Sequence, residues 1–451
     1  MYRELVIKAY LLYLNGRYGN KHWYKYFQEL KEIQWWSSDR IAALQLERLQ
    51  ALLRHAYQNV PYYRKKFTDL GLHPDDIKTL DDLAKLPILT KKDIRENRAE
   101  LVARNFTRNE LIPSATSGST GEPLQFYASR ESNARGIAGE HLAFSWYGYQ
   151  HGDKRIRLWR HIQYVSLMQS LFKKISLRVS RIVTLDGYNM SENQMDRFAR
   201  KLCQFKPKVI TTFASVVYLF ARYLKHHGIE SIRPQAVITQ SEKLFPHQRR
   251  LLEEVFRCGV FDFYGSQEVT SMAAECPEHT GYHIMTPNVI LEFIRDNQPV
   301  SPGEMGKIVV TDLHNYAMPF IRYENGDLGV PSGEKCSCGR GLPMMEEIIG
   351  RTSDMMICID GKYASGVFFL NILQHKPWVK QFQAKQDKDR NITLSIVPET
   401  QPDEGELETI KALIQQMLGK EIKVDILFVD SIIVTEHDKY RFIISEVPLP
   451  F

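Results

Sequence analysis

Cysteine is scarce in this chain, with six in 451 residues, at positions 203, 258, 276, 336, 338 and 358. So few, so unevenly placed, exclude the disulfide framework of a small secreted domain and predict a chain kept in a reducing, cytoplasmic compartment. Long apolar runs are absent as well. The nearest to one, Leu5-Val6-Ile7-Lys8-Ala9-Tyr10-Leu11-Leu12-Tyr13-Leu14, falls far short of the ~20 residues that span a bilayer. It is broken by Lys8 and no small-residue cleavage site follows, so an amphipathic helix packed on the body is expected rather than a signal peptide. The alternative is a helix lying in a membrane surface, with Arg3, Lys8 and Arg17 near the headgroups. Charge of one sign is also lacking: the net charge of +6 is spread along the chain, which gives nucleic-acid binding no support. There is no internal repeat or low-complexity tract. With 26 Gly, 20 Pro and 43% hydrophobic residues, collagen-like and disordered classes are excluded.

What remains is a large globular chain. At about 150 residues per domain its length allows roughly three structural units. From Ser38 to about Arg54 the apolar residues Ile41, Leu44, Leu46, Leu49, Leu52 and Leu53 recur at mostly helical spacing, and Pro61-Tyr62-Tyr63 reads as a turn. The first hundred residues are therefore expected to be a mostly helical lead-in. Between 180 and 268 the pattern changes to short β-rich runs, Arg181 to Leu185, Lys208 to Phe213, Gln235 to Thr239 and Val260 to Tyr264. Helical periodicity fills the intervals 192–204, 215–227 and 246–257. This alternation predicts an α/β fold of right-handed βαβ units with a mainly parallel sheet. After about Gly350 the pattern resets to strand, helix and strand, which predicts a small C-terminal α+β domain. The expected division is 1–350 and 351–451.

In open α/β sheets ligands bind beyond the carboxyl ends of the strands. That directs attention to Ala214-Ser215, to Gln240-Ser241-Glu242 and to Gly265-Ser266-Gln267-Glu268. The most informative stretch is Thr116-Ser117-Gly118-Ser119-Thr120-Gly121, whose two glycines and four hydroxyls can wrap an anion. It lacks the Gly-Lys-Ser/Thr ending of a Walker loop. A second constellation has metal-ligand chemistry: Cys276, the turn Cys336-Ser-Cys338, and either His279 or His283 would complete a tetrahedral zinc site of three thiolates and one imidazole. Cys203, Cys258 and Cys358 lie in apolar segments and read as packing residues.

Four motifs in order carry a resemblance: Thr116 to Gly121, Tyr264-Gly265-Ser266-Gln267-Glu268, Arg322-Tyr323-Glu324-Asn325-Gly326-Asp327, which reads as a turn, and Gly350-Arg351-Thr352-Ser353-Asp354. The set resembles the adenylate-forming acyl-activating superfamily. The segment from Leu53 to Arg64, followed by Leu86-Pro-Ile-Leu-Thr-Lys91, looks more narrowly like the entry segment of phenylacetate–coenzyme A ligases and their capsule-biosynthesis relatives.

The resemblance implies roles. Thr116 to Gly121 would cradle ATP phosphates, Ser241 and Glu242 would flank the adenine, and Tyr264 would stack on it, with Gly265 and Ser266 following. Glu268 would hold Mg²⁺, Asp327 would bind the ribose hydroxyls, and Arg351 would lie near ribose and phosphate. Asp354 would be the hinge and Lys439 the mobile catalytic lysine. The chemistry agrees: a diol needs a two-oxygen acceptor, Mg²⁺ prefers hard oxygen, and attack of a carboxylate on the α-phosphate builds anionic charge that a cation must offset. An acyl pocket is expected from Phe213, Ala214, Ser215 and Tyr218, with Trp146 and Tyr149 nearby. The family pattern also favours His283 over His279. There are departures, since Asn325 stands where Thr or Arg is usual, Gln267 replaces a Thr, and His437-Asp438 precede Lys439 where Gly is common.

The expected activity is that of an AMP-forming acid–thiol ligase. ATP and a carboxylic acid give an acyl-adenylate, and the acyl group then passes to coenzyme A. The alternatives are adenylyl transfer, acyl transfer to a carrier-protein thiol, or a noncatalytic nucleotide-binding protein of polysaccharide assembly at a membrane. A homodimer is compatible with all of them.

Overall fold

The computed structural model describes residues 4–5, 7–8, 22–116, 123–159, 181–187, 191–351, 355–361, 363–365, 367–373, 376, 378–402, 404–432 and 442–447. Ser117, Gly118, Ser119, Thr120, Gly121, Asp354 and Lys439 lie outside these residues, as does most of the stretch from 5 to 14. Among the described residues no helix is long and apolar enough to cross a membrane.

The lead-in is helical, as its periodicity requires. Helix α1 (Trp23–Ile33) is followed by α2 (Ser38–Asn59), α3 (Pro61–Asp69) and α4 (Lys91–Glu96). Ser37 caps α2 by accepting from the Arg40 amide, and Ile41, Gln45, Leu49, Leu52, Leu53 and Ala56 line its buried face. Pro61 does not make the expected turn. It stands at the first position of α3, where its missing N–H costs nothing. Thr90 caps α4 in a reciprocal box with Asp93.

The body begins with an antiparallel pair, β1 (Leu111–Ala115) and β2 (Gln125–Ser129), with the Ser/Thr/Gly segment between them, and α5 (Arg130–Trp146) follows directly. Then come β3 (Arg155–Trp159), β4 (Ile182–Asp186), α6 (Glu192–Phe205), β5 (Val209–Thr212), α7 (Ala214–His226), β6 (Ala236–Gln240), α8 (Pro246–Phe256) and β7 (Gly259–Tyr264). Strands β8 (Ala273–Glu275), β9 (Tyr282–Ile284), β10 (Val289–Arg295), β11 (Gln298–Pro299), β12 (Gly306–Asp312), β13 (Tyr323–Pro331) and β14 (Met344–Arg351) complete the unit.

One twelve-stranded sheet runs β11-β10-β12-β13-β14-β9-β8-β7-β6-β5-β3-β4. From β4 to β7 every pairing is parallel, the half that the βαβ alternation describes. Strands β5 and β6 are buried at every residue, because helices cover both faces. From β7 onward every pairing is antiparallel, so the sheet is mixed.

A four-stranded sheet with its own core is built from the C-terminal residues. The elements of this C-terminal unit are β15 (Met355–Ile357) and β16 (Tyr363–Ser365), which form a separate two-stranded pair, then α9 (Val367–Leu373), β17 (Val379–Gln386), β18 (Ile392–Pro398), α10 (Glu404–Leu418), β19 (Val424–Phe428) and β20 (Ile443–Ser445). The sheet order is β19-β18-β17-β20, and Phe369, Leu394, Ile396, Ile410 and Ile414 fill the core against it.

The turn after β7 is tight. The Ser266 amide donates to the Val269 carbonyl at 3.0 Å and the Met272 amide to the Tyr264 carbonyl at 3.0 Å. A Cβ on Gly265 would lie 2.0 Å from the Thr270 carbonyl oxygen. That contact is backbone and cannot swing aside, so Gly265→Ala should destabilise the fold by about 1–3 kcal/mol, the usual range for overpacking. A thermal midpoint equal to wild type would contradict this close approach.

Candidate active site and metal centre

The crevice at the carboxyl end of β7 gathers the sequence-derived candidates around one carboxylate. Between the pairs Lys307↔Leu328 and Val309↔Glu324, three residues of β13, Asn325-Gly326-Asp327, oppose one of β12, Ile308. The expected turn at Asp327 is thus a bulge inside a strand, with Gly326 at φ +88°. It turns the Asp327 side chain toward β7. The Tyr264 hydroxyl donates to Asp327 Oδ2 at 2.8 Å, and Asn325 Nδ2 lies 2.7 Å from that hydroxyl and 2.9 Å from the same carboxylate oxygen. Asn325 Oδ1 accepts from the Asp327 amide at 3.0 Å. Arg351, paired with Asp327 across β13 and β14, places Nε 3.5 Å from Oδ1. Burial raises the Asp327 carboxyl above its ordinary value, opposed by Arg351 and by the Tyr264 hydrogen bond. Asn325, a departure in the sequence, thereby holds the geometry that its position requires.

Glu268 lies in the tight turn after β7, and Tyr323 donates to its Oε1 at 2.8 Å. Lys91, at the start of α4, is brought beside this group by backbone lacing. The Leu89 amide donates to the Arg322 carbonyl at 2.8 Å, and the Glu324 amide donates to the Leu89 carbonyl at 3.0 Å. Burial pushes the Lys91 ammonium down, the positive Arg351 adds to this, and Glu268 and Asp327 oppose it. Lys91 is a functional candidate that sequence reasoning left without a role. The signal available was the Thr-x-x-Asp capping box, which fixes the residue after Thr90 at a helix start.

On the other flank, Ser241 adopts φ +66°, a left-handed conformation uncommon outside glycine. Glu242 Oε2 accepts from the Ser215 amide at 2.9 Å, so its carboxylate caps α7. Phe213 stacks on Trp159 at 4.3 Å between ring centroids, and Tyr218 meets His247 edge-on at 5.6 Å. Ala214 is buried at the start of α7. The structure does not bring Trp146 and Tyr149 to this group. Trp146 packs edge-on against His283, and Tyr149 is buried between Phe144 and His141. Thr116 closes the base of the β1–β2 connection by exchanging bonds with Leu124.

The second constellation converges. Cys276, His283, Cys336 and Cys338 place one ligand atom each within 4.8 Å of one another. Two ligands 2.3 Å from a tetrahedral ion would be about 3.8 Å apart, so the donors fit zinc. Cys276 Sγ is 3.3 Å from Cys336 Sγ, and His283 Nε2 is 3.2 Å from Cys338 Sγ. His283 Nδ1 donates to the Leu342 carbonyl at 3.2 Å, which leaves Nε2 unprotonated and facing the thiols. Burial pushes this imidazole down to about 4, and Arg340 acts in the same sense. His279 is engaged elsewhere, with Nδ1 2.8 Å from Glu275 Oε1 and its ring stacked on Phe261. Of the other thiols, Cys358 is buried in the C-terminal core, and burial pushes Cys258 up to about 12.

The fold has counterparts among solved structures. The solved structure of 2-hydroxyisobutyryl-CoA ligase in the postadenylation state superposes with a TM-score of 0.71, at 20% identity, over 92% of each chain. O-succinylbenzoate coenzyme A synthetase from Bacillus subtilis superposes at 0.53, with 19% identity, over 72% of this chain and 67% of that one. The fold is that of the adenylate-forming ligases. Phenylacetate–coenzyme A ligase of Aromatoleum evansii is 28% identical over 83% of this chain and 85% of its own length. Protein CapK of Staphylococcus aureus is 24% identical over 97% and 95%, and residues 356–446 match the CapK C-terminal domain. In sequence the chain is similar to phenylacetate–coenzyme A ligases and to CapK, and in fold to the adenylate-forming ligases.

A polar network includes Glu275 and Tyr282, the chain neighbours of Cys276 and His283. Thr239 donates to Asp262 Oδ1 at 2.7 Å and Tyr282 to Oδ2 at 3.0 Å, while Glu275 Oε2 accepts from the Asp262 amide and from Arg249, each at 2.8 Å. Burial pushes the Asp262 carboxyl up to about 7, with the hydroxyl donors opposing and Glu275 reinforcing. The folded state then holds a proton that the unfolded chain releases near pH 4. Stability from this group is greatest in acid, falls as pH rises from about 4 to about 7, and is level above. Asp262→Asn should remove a slope worth on the order of 2–4 kcal/mol across that window. Thermal midpoints measured every half unit from pH 4 to 7 would show it, and parallel curves for the two proteins would contradict it.

Proposed function

We propose that the chain activates a carboxylic acid with ATP and passes the acyl group to coenzyme A. The observation that carries the reading is the cluster of Asp327, Tyr264, Asn325, Arg351, Glu268 and Lys91 at the carboxyl end of β7, in a chain whose relatives are named phenylacetate–coenzyme A ligase. A carboxylate oxygen of the acid attacks the α-phosphorus, and the bond to pyrophosphate breaks. The resulting acyl-adenylate is attacked by the thiol and AMP leaves.

Asp327 accepts the ribose hydroxyls, and Tyr264 with its hydroxyl tied down offers a fixed ring to the adenine. The Thr116 to Gly121 segment, Ser117, Gly118, Ser119 and Thr120 included, wraps the phosphates. Lys91 and Arg351 supply positive charge on the same side. Magnesium, when bound, would offset phosphate charge, and Glu268 fits it as a hard-oxygen ligand with Oε1 already oriented by Tyr323. Lys439, reaching from the C-terminal unit across a hinge at Asp354, meets charge developing at the α-phosphate in the first half-reaction only. Phe213, Ala214, Ser215 and Tyr218 border the acyl group. Zinc at Cys276, His283, Cys336 and Cys338 is structural: its four protein donors leave no open position for chemistry.

The test is pyrophosphate release on a panel of carboxylic acids, with and without coenzyme A. Acid-dependent release is expected, and silence with every acid would refute the enzymatic reading. Asp327→Ala strips a charged acceptor worth about 2 kcal/mol, so ATP affinity should drop ~30-fold by calorimetry in protein that remains folded. Affinity unchanged would remove Asp327 from the ribose. Lys439→Ala should slow adenylate formation by about 3–4 kcal/mol, a few hundredfold. Thioester formation from presynthesised acyl-adenylate should be nearly untouched. Equal slowing of both half-reactions would refute a lysine that acts in the first half-reaction only.

A further inference from the structure

The metal centre lies against the corner where α1 turns into α2. The Gly341 amide, three residues past Cys338, donates to the Gln34 carbonyl at 2.9 Å. A Cβ on Gly341 would sit 1.8 Å from the Trp36 carbonyl oxygen, so the two backbones touch with no room for a side chain. Arg340 lies between two indoles, its guanidinium 5.0 Å from the Trp35 ring centroid and 4.6 Å from that of Trp146. Its Nε donates to Gln34 Oε1 at 3.0 Å, and the same oxygen accepts from Trp146 Nε1 at 2.9 Å. Trp146 in turn packs its ring edge-on to the ligand His283 at 5.6 Å. Leu342, whose carbonyl orients His283, is buried with Ile33 and Ile41 from the two helices. The corner is thus gripped by residues that follow, support or touch the four metal donors, while Trp23 and Leu30 of α1 pack on α5 directly.

We propose that this loop is a metal-set clasp: occupancy of the Cys276, His283, Cys336 and Cys338 site fixes the loop 336–342, and the loop, through Arg340 and Gly341, holds α1 and its corner onto α5. The free energy that binds the ion also docks the helix, because without the ion the three thiols crowd one another and nothing fixes the Cys-x-Cys turn at the registry that Gln34 and Trp36 require. Loss of the metal loosens α1 and its corner, while α2 stays in the core through Leu49, Leu52 and Leu53 and the parallel half of the sheet, which takes no ligand, stays folded. Arg340 is a positioning residue. It touches no ligand atom of the metal and acts by tying the loop to α1.

The inference rests on the metal reading of the tetrad, and the experiment separates the two. Hydrogen exchange of residues 23–36 is measured by mass spectrometry on the full chain, alongside zinc content by elemental analysis, for wild type, Cys338→Ser and Arg340→Ala. Wild type should hold about one zinc per chain. Cys338→Ser should lose it and speed exchange in 23–36 at least tenfold, with β5 and β6 still protected. Arg340→Ala should speed exchange in 23–36 to a similar degree and keep its zinc. Arg340→Lys, which keeps the charge but loses the planar stack and the guanidinium fork, should fall between. Slow exchange in 23–36 after zinc loss, or in Arg340→Ala, would overturn the clasp. Wild-type protein with no zinc, never exposed to chelator, would refute the metal reading and with it the metal control, while the Arg340 variants still report whether the loop holds the helix.

Discussion

The buried carboxylate of Asp327 is the constraint on which the arrangement of the large sheet turns. Burying a charge is costly unless it is fully hydrogen-bonded, and besides Asn325 on its own strand and Arg351 on the next, one partner comes from a distant strand. Tyr264 ends β7, whereas Asp327 stands in β13, four positions away along the sheet order. At about 4.8 Å between strands, a flat sheet would hold them roughly 19 Å apart. A 2.8 Å hydrogen bond between the two side chains requires the antiparallel half to curl back over the parallel half. The three-residue strands β8 and β9 are short enough to make that bend. The core beneath the curl includes Tyr264, Met272, Ile308 and Phe320 together with Leu49, Leu52 and Leu53 of α2, so the lead-in helices plug the space that the bend encloses.

The lead-in contributes more than apolar surface. Tyr63 donates to the Pro319 carbonyl and accepts from the Ile321 amide, and Arg322, held at φ +52°, binds Glu292 and reaches the carbonyls of Ala84 and Leu86. These buried bonds fix the segment that enters β13 immediately before Asn325. Polar groups at such positions are stringent, since removing either partner leaves the other desolvated and unpaired. The entry segment recognised in the sequence is therefore part of what sets the crevice.

The parallel half was legible because its signal is periodic and local. Runs near 182, 209, 236 and 260 became β4 to β7 within about two residues of their expected bounds, and the helices between them followed. The antiparallel half was not, because β8, β9 and β11 are too short to show alternation and the longer β10, β12, β13 and β14 do not alternate regularly between buried and exposed. Asn325-Gly326-Asp327 has the composition of a turn, and only its strand neighbours make it a bulge. Among the site residues, types needed by chemistry were readable at Glu268, Asp327 and the Cys/His tetrad. Lys91 and Tyr323 were not, since their significance comes from long-range lacing. Trp146 and Tyr149 pack away from Phe213 and Tyr218, as aromatics more often do when they serve the core.

The grip on the α1–α2 corner also decides where the chain keeps its chromophores. The six tryptophans are at 23, 35, 36, 146, 159 and 378. Trp23 lies in α1, Trp35 and Trp36 form the corner, and Trp146 lies beneath Arg340, whereas the aromatic ring at the Asp327 crevice is a tyrosine. Intrinsic ultraviolet emission from this protein is consequently weighted toward one end of the molecule. An optical titration would register events at that end, at Trp159 beside Phe213, or in the C-terminal core around Trp378, and would be nearly blind to a purine settling against Tyr264.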